Sequence, residues 1–184
     1  MYINNVQLVL KECEQILSVV SPDITEEFIQ RLLKANRVFF VGVGRVMLSL
    51  QAIAKRFAHI GIDSHLVGEI TEPAIRPGDI LVVGSGSGES LFPREIAKRA
   101  KGLGAEIIFI GSNRESTVAG LADLMIRFPT NTKLMHSDEI QSKQIMTSLF
   151  EQSLLLYGDI VARMIVEKKA IDIHALWEYH ANLE

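Results

Sequence analysis

Seven residues, Gly84-Ser-Gly-Ser-Gly-Glu-Ser90, alternate glycine with hydroxyl side chains directly behind the aliphatic run 80–83. Glycine lets the backbone take positive φ and come close to a ligand. Ser85, Ser87 and Ser90 each add a hydroxyl that can donate or accept. An amphipathic segment, 91–103, follows at once. The first amides of that helix and its partial positive charge therefore face the same place as the serines. Such a loop binds an anion, phosphate first. A flexible Gly/Ser connector is the alternative, but linkers seldom stand between a buried strand and an amphipathic helix without spacer residues. No Gly-Lys-Ser/Thr closes the loop, and the nearby base ahead of the helix body is Arg94, so this is not a Walker A loop.

A second glycine turn, Gly42-Val-Gly44-Arg45, follows the aliphatic run 38–41. It begins like a dinucleotide fingerprint, but Met47 stands where close helix–strand packing needs the third glycine, which leaves nicotinamide binding weakly supported. Glu151 falls in an apolar stretch between Phe150 and Leu154. A carboxylate there is either on the solvated side of a helix or held in a site, and helical spacing alone favours the solvated side. His136 lies in a polar stretch, where a lone histidine is usually solvated. The tail, with Trp177-Glu-Tyr-His180-Ala-Asn-Leu-Glu, is rich in aromatic and polar groups for a terminus, so something should hold it down. Cys13, among Val9, Leu10, Ile16 and Leu17, reads as a packed apolar position.

The elements that must position these groups follow from hydrophobic periodicity. Helical stripes cover 2–19 and, after Ser21-Pro22-Asp23, a segment ending near Asn36. Buried strands are expected at 38–41, 64–67, 80–83, 105–110 and 124–128, with helices at 47–60, 91–103 and 117–121 between them. Residues 129–143 are polar and aperiodic, a lid or loop, and a long helix runs from 144 toward 169. Alternating strands and helices imply a three-layer, doubly wound α/β fold with a five-stranded parallel sheet flanked by helices. One domain spanning 1–184 is expected: a helical extension at 1–36, a sheet core at 37–128, the loop at 129–143 and C-terminal helices at 144–184. Ligands of such sheets sit beyond the carboxyl ends of the strands, where both glycine turns open.

Composition narrows the classes. The 184 residues are 48% hydrophobic, with a formal net charge of −3 and scattered Lys and Arg, which argues against disorder and against nucleic-acid binding. A single cysteine suits a reducing compartment. Lys11, Glu12 and Glu14 interrupt any leader-like apolar core, and no window reaches the roughly 18 apolar residues of a membrane span. The expectation is a soluble, cytoplasmic protein.

Gly42-Val-Gly-Arg45, Arg56-Phe-Ala-His59-Ile-Gly61, Val67-Gly-Glu69, Gly84-Ser-Gly-Ser-Gly-Glu-Ser90, Ser148-Leu-Phe-Glu151-Gln and His180-Ala-Asn-Leu together resemble the sugar isomerase (SIS) domain, a flavodoxin-like fold. Within it they are most similar to the 6-phospho-3-hexuloisomerase family, from about residue 38 to the C-terminus. The resemblance implies a homotetramer that isomerises hex-3-ulose 6-phosphate to fructose 6-phosphate without metal or organic cofactor. It implies that Gly44, Arg45, Ser85, Gly86, Ser87, Gly88 and Ser90 hold the phosphosugar. Glu151 would be the base that moves a proton between C2 and C3 through an enediol. His180, from its own or another subunit, would shuttle the oxygen-bound proton, with a structural tail contact as an equal alternative. Glu89 should turn away from a phosphate, toward Arg45 or a neighbouring subunit. Three departures stand out: Val46 replaces the family's usual Ser, and Ile145 and Thr147 replace the Pro and Gly of its Pro-Met-Gly. They leave open an isomerase of altered specificity, or a non-catalytic SIS module that senses a phosphosugar. Such sensors commonly carry a helix-turn-helix domain, and nothing in this sequence is long or basic enough to be one.

Overall fold

A computed structural model describes residues 1–130, 137–181 and 183. His136 and part of the expected 129–143 loop lie outside the described residues. Two helices, α1 (Tyr2–Ser18) and α2 (Pro22–Lys34), precede the sheet. Then follow β1 (Val38–Val41), α3 (Gly44–His59), β2 (Ser64–Leu66), β3 (Ile80–Gly84), α4 (Leu91–Gly102), β4 (Glu106–Gly111), α5 (Thr117–Leu121), β5 (Leu124–Arg127) and α6 (Ser148–Lys168). All five strands are parallel, in the order β2-β1-β3-β4-β5.

Every residue of β1 and β3 is buried, as strands covered by helices on both faces must be. Alternate side chains divide between two cores. Val38, Phe40, Ile80, Val82, Ile108 and Ile110 pack on the side of α1, α2, α3 and α6. Phe39, Val41, Leu81, Val83, Ile107 and Phe109 pack on the opposite side, with Ala97 and Ala100 of α4. The N-terminal helices settle against the chain's own body: Cys13 and Ile16 of α1, and Phe28, Ile29 and Leu32 of α2, are all buried in the first core. Ser21 caps α2 by accepting from the Ile24 amide, and Pro22 occupies the first helical position, where it is tolerated.

From β2 the chain crosses over β1 to reach β3, so strand order reverses between β1 and β3. Their carboxyl ends are adjacent, with Val41 opposite Val83 in register. That crevice is where doubly wound sheets bind ligands.

Two helix starts differ from the spacing. α3 opens at Gly44, whose φ of 57° turns the chain out of β1 three residues earlier than the apolar stripe suggests. α6 opens at Ser148, four residues later than expected, because Met146 has a φ of 53° and a right-handed helix cannot run through it. The tail is held down, as its composition requires. A 3-10 turn at Ala175–Tyr179 seats Leu176 against the first core, and His180 stacks on His59 with ring centroids 5.5 Å apart.

Candidate active site

A cavity of about 740 Å³ opens at the switch point between β1 and β3. That volume suits a small phosphorylated metabolite. One wall is Val43 to Val46 at the start of α3, and the floor is the loop Gly84 to Ser87 with Glu89 and Ser90. The facing wall is Ile145 to Ser148 with Phe150 and Glu151 of α6, and Thr130 lies at the edge.

The loop is braced from behind, which leaves hydroxyl protons for a ligand. The Gly88 amide donates to Ser85 Oγ at 3.1 Å and the Glu89 amide to Ser87 Oγ at 3.2 Å. Both oxygens act as acceptors there, so Ser87 keeps its O–H as a donor, while Ser85 and Ser90 use one of their two O–H groups on each other. Ser85 and Ser90 share one contact, Oγ to Oγ, at 3.3 Å. From the β4 side, the Ser112 and Asn113 amides donate to the Gly86 carbonyl at 3.0 and 3.3 Å. Gly88 has a φ of 66°, and a Cβ there would fall inside the Ser116 hydroxyl. Its position shapes the loop behind the cavity rather than lining it. At the start of α4 the Leu91 and Phe92 amides have no intrahelical acceptors, while Pro93 has no amide to offer.

Glu89 lies at the cavity floor, but its carboxylate turns to the start of α5 and not to Arg45. Its carboxylate accepts from the Thr117 amide at 2.6 Å and from Thr117 Oγ1 at 3.1 Å, with Arg94 nearby at 3.6 Å. The Thr117 amide above all, then its hydroxyl and Arg94, hold the Glu89 carboxyl below the usual carboxylate range. A negative charge beside the serines is thus tied to the N-terminus of α5.

Glu151 overturns the solvated reading, being only 6% exposed. It lies in the first turn of α6, where a carboxylate suits the helix dipole. Thr147 Oγ1 donates to Glu151 Oε1 at 2.7 Å, and Arg45 Nε donates to Glu151 Oε2. Ser49 of α3, also buried, donates its hydroxyl to the Glu151 main-chain carbonyl at 2.9 Å and pins that turn to α3. The carboxylate is therefore held at a fixed point on the wall facing the serine loop. Thr147 stood out in the sequence only as a residue in place of glycine. Thr147 is the N-cap residue of α6, four positions before Glu151, and that spacing is the signal that links them.

Gly44, Arg45, Ser85, Gly86, Ser87, Ser90 and Glu151 thus meet on one cavity. His180 does not join them within its own chain. Besides the His59 stack, its Nδ1 lies 3.0 Å from the Ala181 carbonyl. Burial first, then the positive charges of Lys55 and Arg56 and the neighbouring His180, push the His59 imidazole below its usual range. His59 ends α3 and Gly44 begins it, so 15 rises, about 22 Å, separate the stack from the cavity. Val46 lines the cavity and packs against the first core, filling with methyl groups the position where a hydroxyl was expected. Among the described residues, no group of three or more His, Cys, Asp or Glu side chains could hold a metal ion, and no helix is long and apolar enough to cross a membrane.

Comparison with known proteins matches residues 31–157 to a family described as SIS domain. The chain is 35% identical over 176 residues to a protein of Bacillus subtilis (strain 168) named 3-hexulose-6-phosphate isomerase, covering 96% of this chain and 95% of that one. It is 36% identical over 181 residues to a Mycobacterium gastri protein of the same name, covering 98% and 90%. Among solved structures, a hypothetical protein from Methanococcus jannaschii superposes with a TM-score of 0.82 at 26% identity, covering 98% of this chain and 99% of that one. Its crystal structure is described as inferring a function of 3-hexulose-6-phosphate isomerase.

Proposed function

The chain belongs to the SIS domain family and is a sugar-phosphate isomerase, and we propose that it interconverts hex-3-ulose 6-phosphate and fructose 6-phosphate. One observation carries this reading beyond kinship: a buried carboxylate, Glu151, is fixed across one cavity from a loop built to bind phosphate.

In this reading Ser85, Ser87, Ser90 and the Gly86 backbone grip the phosphate, with Gly44 and Gly88 shaping the two turns. The sugar chain then extends toward α6. Glu151 takes the proton from C2, which leaves a C2–C3 double bond with the electron pair shared toward the former C3 carbonyl oxygen. Returning that proton to C3 places the carbonyl at C2. One base serves both transfers because the proton leaves and returns on carbon atoms next to each other. Arg45, beside Glu151, is placed to stabilise negative charge on the enediolate oxygens. The proton on the oxygens must also move, and His180 is the proposed shuttle. Since the His180 of the same chain lies at the far end of α3, a neighbouring subunit must deliver it. We accordingly propose a homotetramer, which the exposed apolar side chains Leu48, Leu155 and Ile160 on α3 and α6 support as a surface for assembly. The cytoplasm is the proposed setting, which a single buried thiol suits.

The test is direct. Purified protein incubated with hex-3-ulose 6-phosphate should accumulate fructose 6-phosphate, read by coupled reduction of a nicotinamide. A protein that binds phosphosugars and turns none over would be a sensor, which Val46 and Thr147 leave open beside a drifted specificity. Turnover of a different phosphoketose would mean a shifted specificity.

A further inference from the structure

Glu12 lies on α1, outside the cavity, and is 6% exposed. Its carboxylate accepts from Ser142 Oγ at 2.6 Å, from the Lys143 amide at 2.9 Å and from Gln144 Nε2 at 3.1 Å. Ser142 Oγ also accepts from the Gln144 amide at 3.0 Å, so residues 142–144 close as a small turn around one buried anion. Burial pushes the Glu12 carboxyl up, yet the Lys143 amide, the Ser142 and Gln144 side chains and the Lys143 charge together hold it below its ordinary range. A helix residue that spends its charge on a loop 130 positions away is poorly explained by helix stability.

What that loop does next matters more. Immediately after the turn come Ile145, Met146 and Thr147, which form the cavity wall facing the serines. Ile145 and Met146 are 80% and 82% exposed, so side-chain packing does not fix them. Met146 also sits at a φ of 53°, a conformation that costs energy for any residue with a Cβ and persists only when its surroundings impose it. The segment is fixed at its ends. On one side Glu12 holds 142–144; on the other the Ser148 amide donates to the Ile145 carbonyl at 3.2 Å and α6 begins. Thr147, between them, donates to Glu151.

We propose that Glu12 is a positioning residue: its carboxylate anchors residues 142–144 so that the cavity wall keeps its shape and the Thr147 hydroxyl stays on Glu151. This gives the first helix a task at a site it does not touch, since α1 is itself locked into the core by Cys13 and Ile16. The kinetic half rests on reading Glu151 as the base, whereas the structural half does not.

The experiment pairs hydrogen exchange with steady-state kinetics on the full chain. In Glu12→Ala, amides of residues 143–148 should exchange at least about tenfold faster, the scale expected for losing one hydrogen bond to a charged group. Thermal unfolding should remain a single cooperative transition. Turnover of hex-3-ulose 6-phosphate should fall by a similar factor, with KM moving much less, because the phosphate loop is untouched. Glu12→Gln, which keeps one carbonyl acceptor, should recover part of both effects. If Glu12→Ala does not fold, the double variant Ser142→Ala/Gln144→Ala removes two of the three donors from the loop side and should give the same pattern. Wild-type exchange rates over 143–148 would overturn the anchor. Faster exchange with unchanged kcat would overturn its role in positioning. A wild-type protein inert on the sugar would sink the proposed reaction alone, because the exchange data and the affinity for fructose 6-phosphate still decide whether Glu12 shapes the cavity.

Discussion

Arg45 and Glu151 stand 106 residues apart in sequence and meet as an ion pair on the cavity wall. The pair is asymmetric, since the arginine side chain is 65% exposed and the glutamate side chain 8%. An exposed guanidinium is cheap to move, whereas a buried carboxylate held by Arg45, Thr147 and the first turn of α6 is fixed. The anchored member of the pair is therefore the one suited to proton transfer, and its partner is free to follow charge as it develops in the substrate.

Glu151→Gln preserves the volume and the acceptor for Thr147 while removing the base. It should lower kcat by about 10²- to 10⁴-fold, the range for losing a general base. Calorimetric affinity for fructose 6-phosphate should stay within a few-fold of wild type. Turnover close to wild type would assign the chemistry to another group.

The sheet was legible because its central strands, β1, β3 and most of β4, are unbroken apolar runs, the pattern that burial on both faces demands, whereas the edge strand β2, Ser64-His-Leu66, is half-buried and carries a weaker signal. The serine loop was legible for a related reason: glycine and serine alternate directly where a strand must hand over to a helix. Glu151 was not legible from periodicity. The spacing of four could have linked it to Thr147, but its ion pair is with Arg45, 106 positions away, which periodicity cannot place beside it. The start of α6 was misplaced because an apolar stripe does not reveal a left-handed residue at Met146. Glu12 was read only as a break in an apolar segment, since its partners lie 130 or more positions away.

Ser87 Oγ accepts from the Glu89 amide and lines the cavity, so its proton is the one best placed to reach a phosphate oxygen. Ser87→Ala should weaken phosphosugar binding by about 1 to 3 kcal/mol, as for a lost hydrogen bond to a charged group. Isothermal titration with fructose 6-phosphate measures it. Unchanged affinity would place the phosphate elsewhere.

Gly44 and Gly88 both have positive φ, but their surroundings differ. A Cβ on Gly44 meets nothing within 4 Å, while one on Gly88 falls inside Ser116 and within 3.0 Å of the Phe109 ring. Gly44→Ala should cost about 1 to 2 kcal/mol of stability from backbone strain alone. Gly88→Ala should cost distinctly more, because Ser116 is buried and cannot withdraw. Urea midpoints at constant m-value would separate the two. Equal losses would mean that the loop yields around Gly88.

The Glu89 carboxyl titrates below its ordinary range in the folded chain because the Thr117 amide, then the Thr117 hydroxyl and Arg94, favour the charged form. Its contribution to stability is thus complete above the unfolded value, about 4.3, and is lost as pH falls through the lower folded value. Glu89→Gln should be less stable than wild type at neutral pH, with the gap closing below about pH 4. Glu12 and Asp123, also held low, give the wild type further acid sensitivity that the variant shares. A gap that is constant from pH 3 to 7 would show that the charge of Glu89 does not brace the loop.

If His180 completes the site of a neighbouring subunit, two dead proteins should make a live one. Glu151→Gln lacks the base and His180→Ala lacks the shuttle, and each homo-oligomer should be slow. Mixed by denaturation and refolding together, they form some interfaces in which an intact Glu151 from one chain faces an intact His180 from the other. In a random two-component mixture about a quarter of directed pairings have both groups, so up to about a quarter of wild-type activity should return. The distance along α3 makes the test decisive: with the stack on His59 about 22 Å of helix from the cavity, no side-chain rotation carries His180 to Glu151 within one chain. Activity no greater than the sum of the separate variants, in oligomers shown by mass to be mixed, would return His180 to the tail as a structural contact. His180→Ala would then lower the thermal midpoint and leave the pH dependence of kcat unchanged.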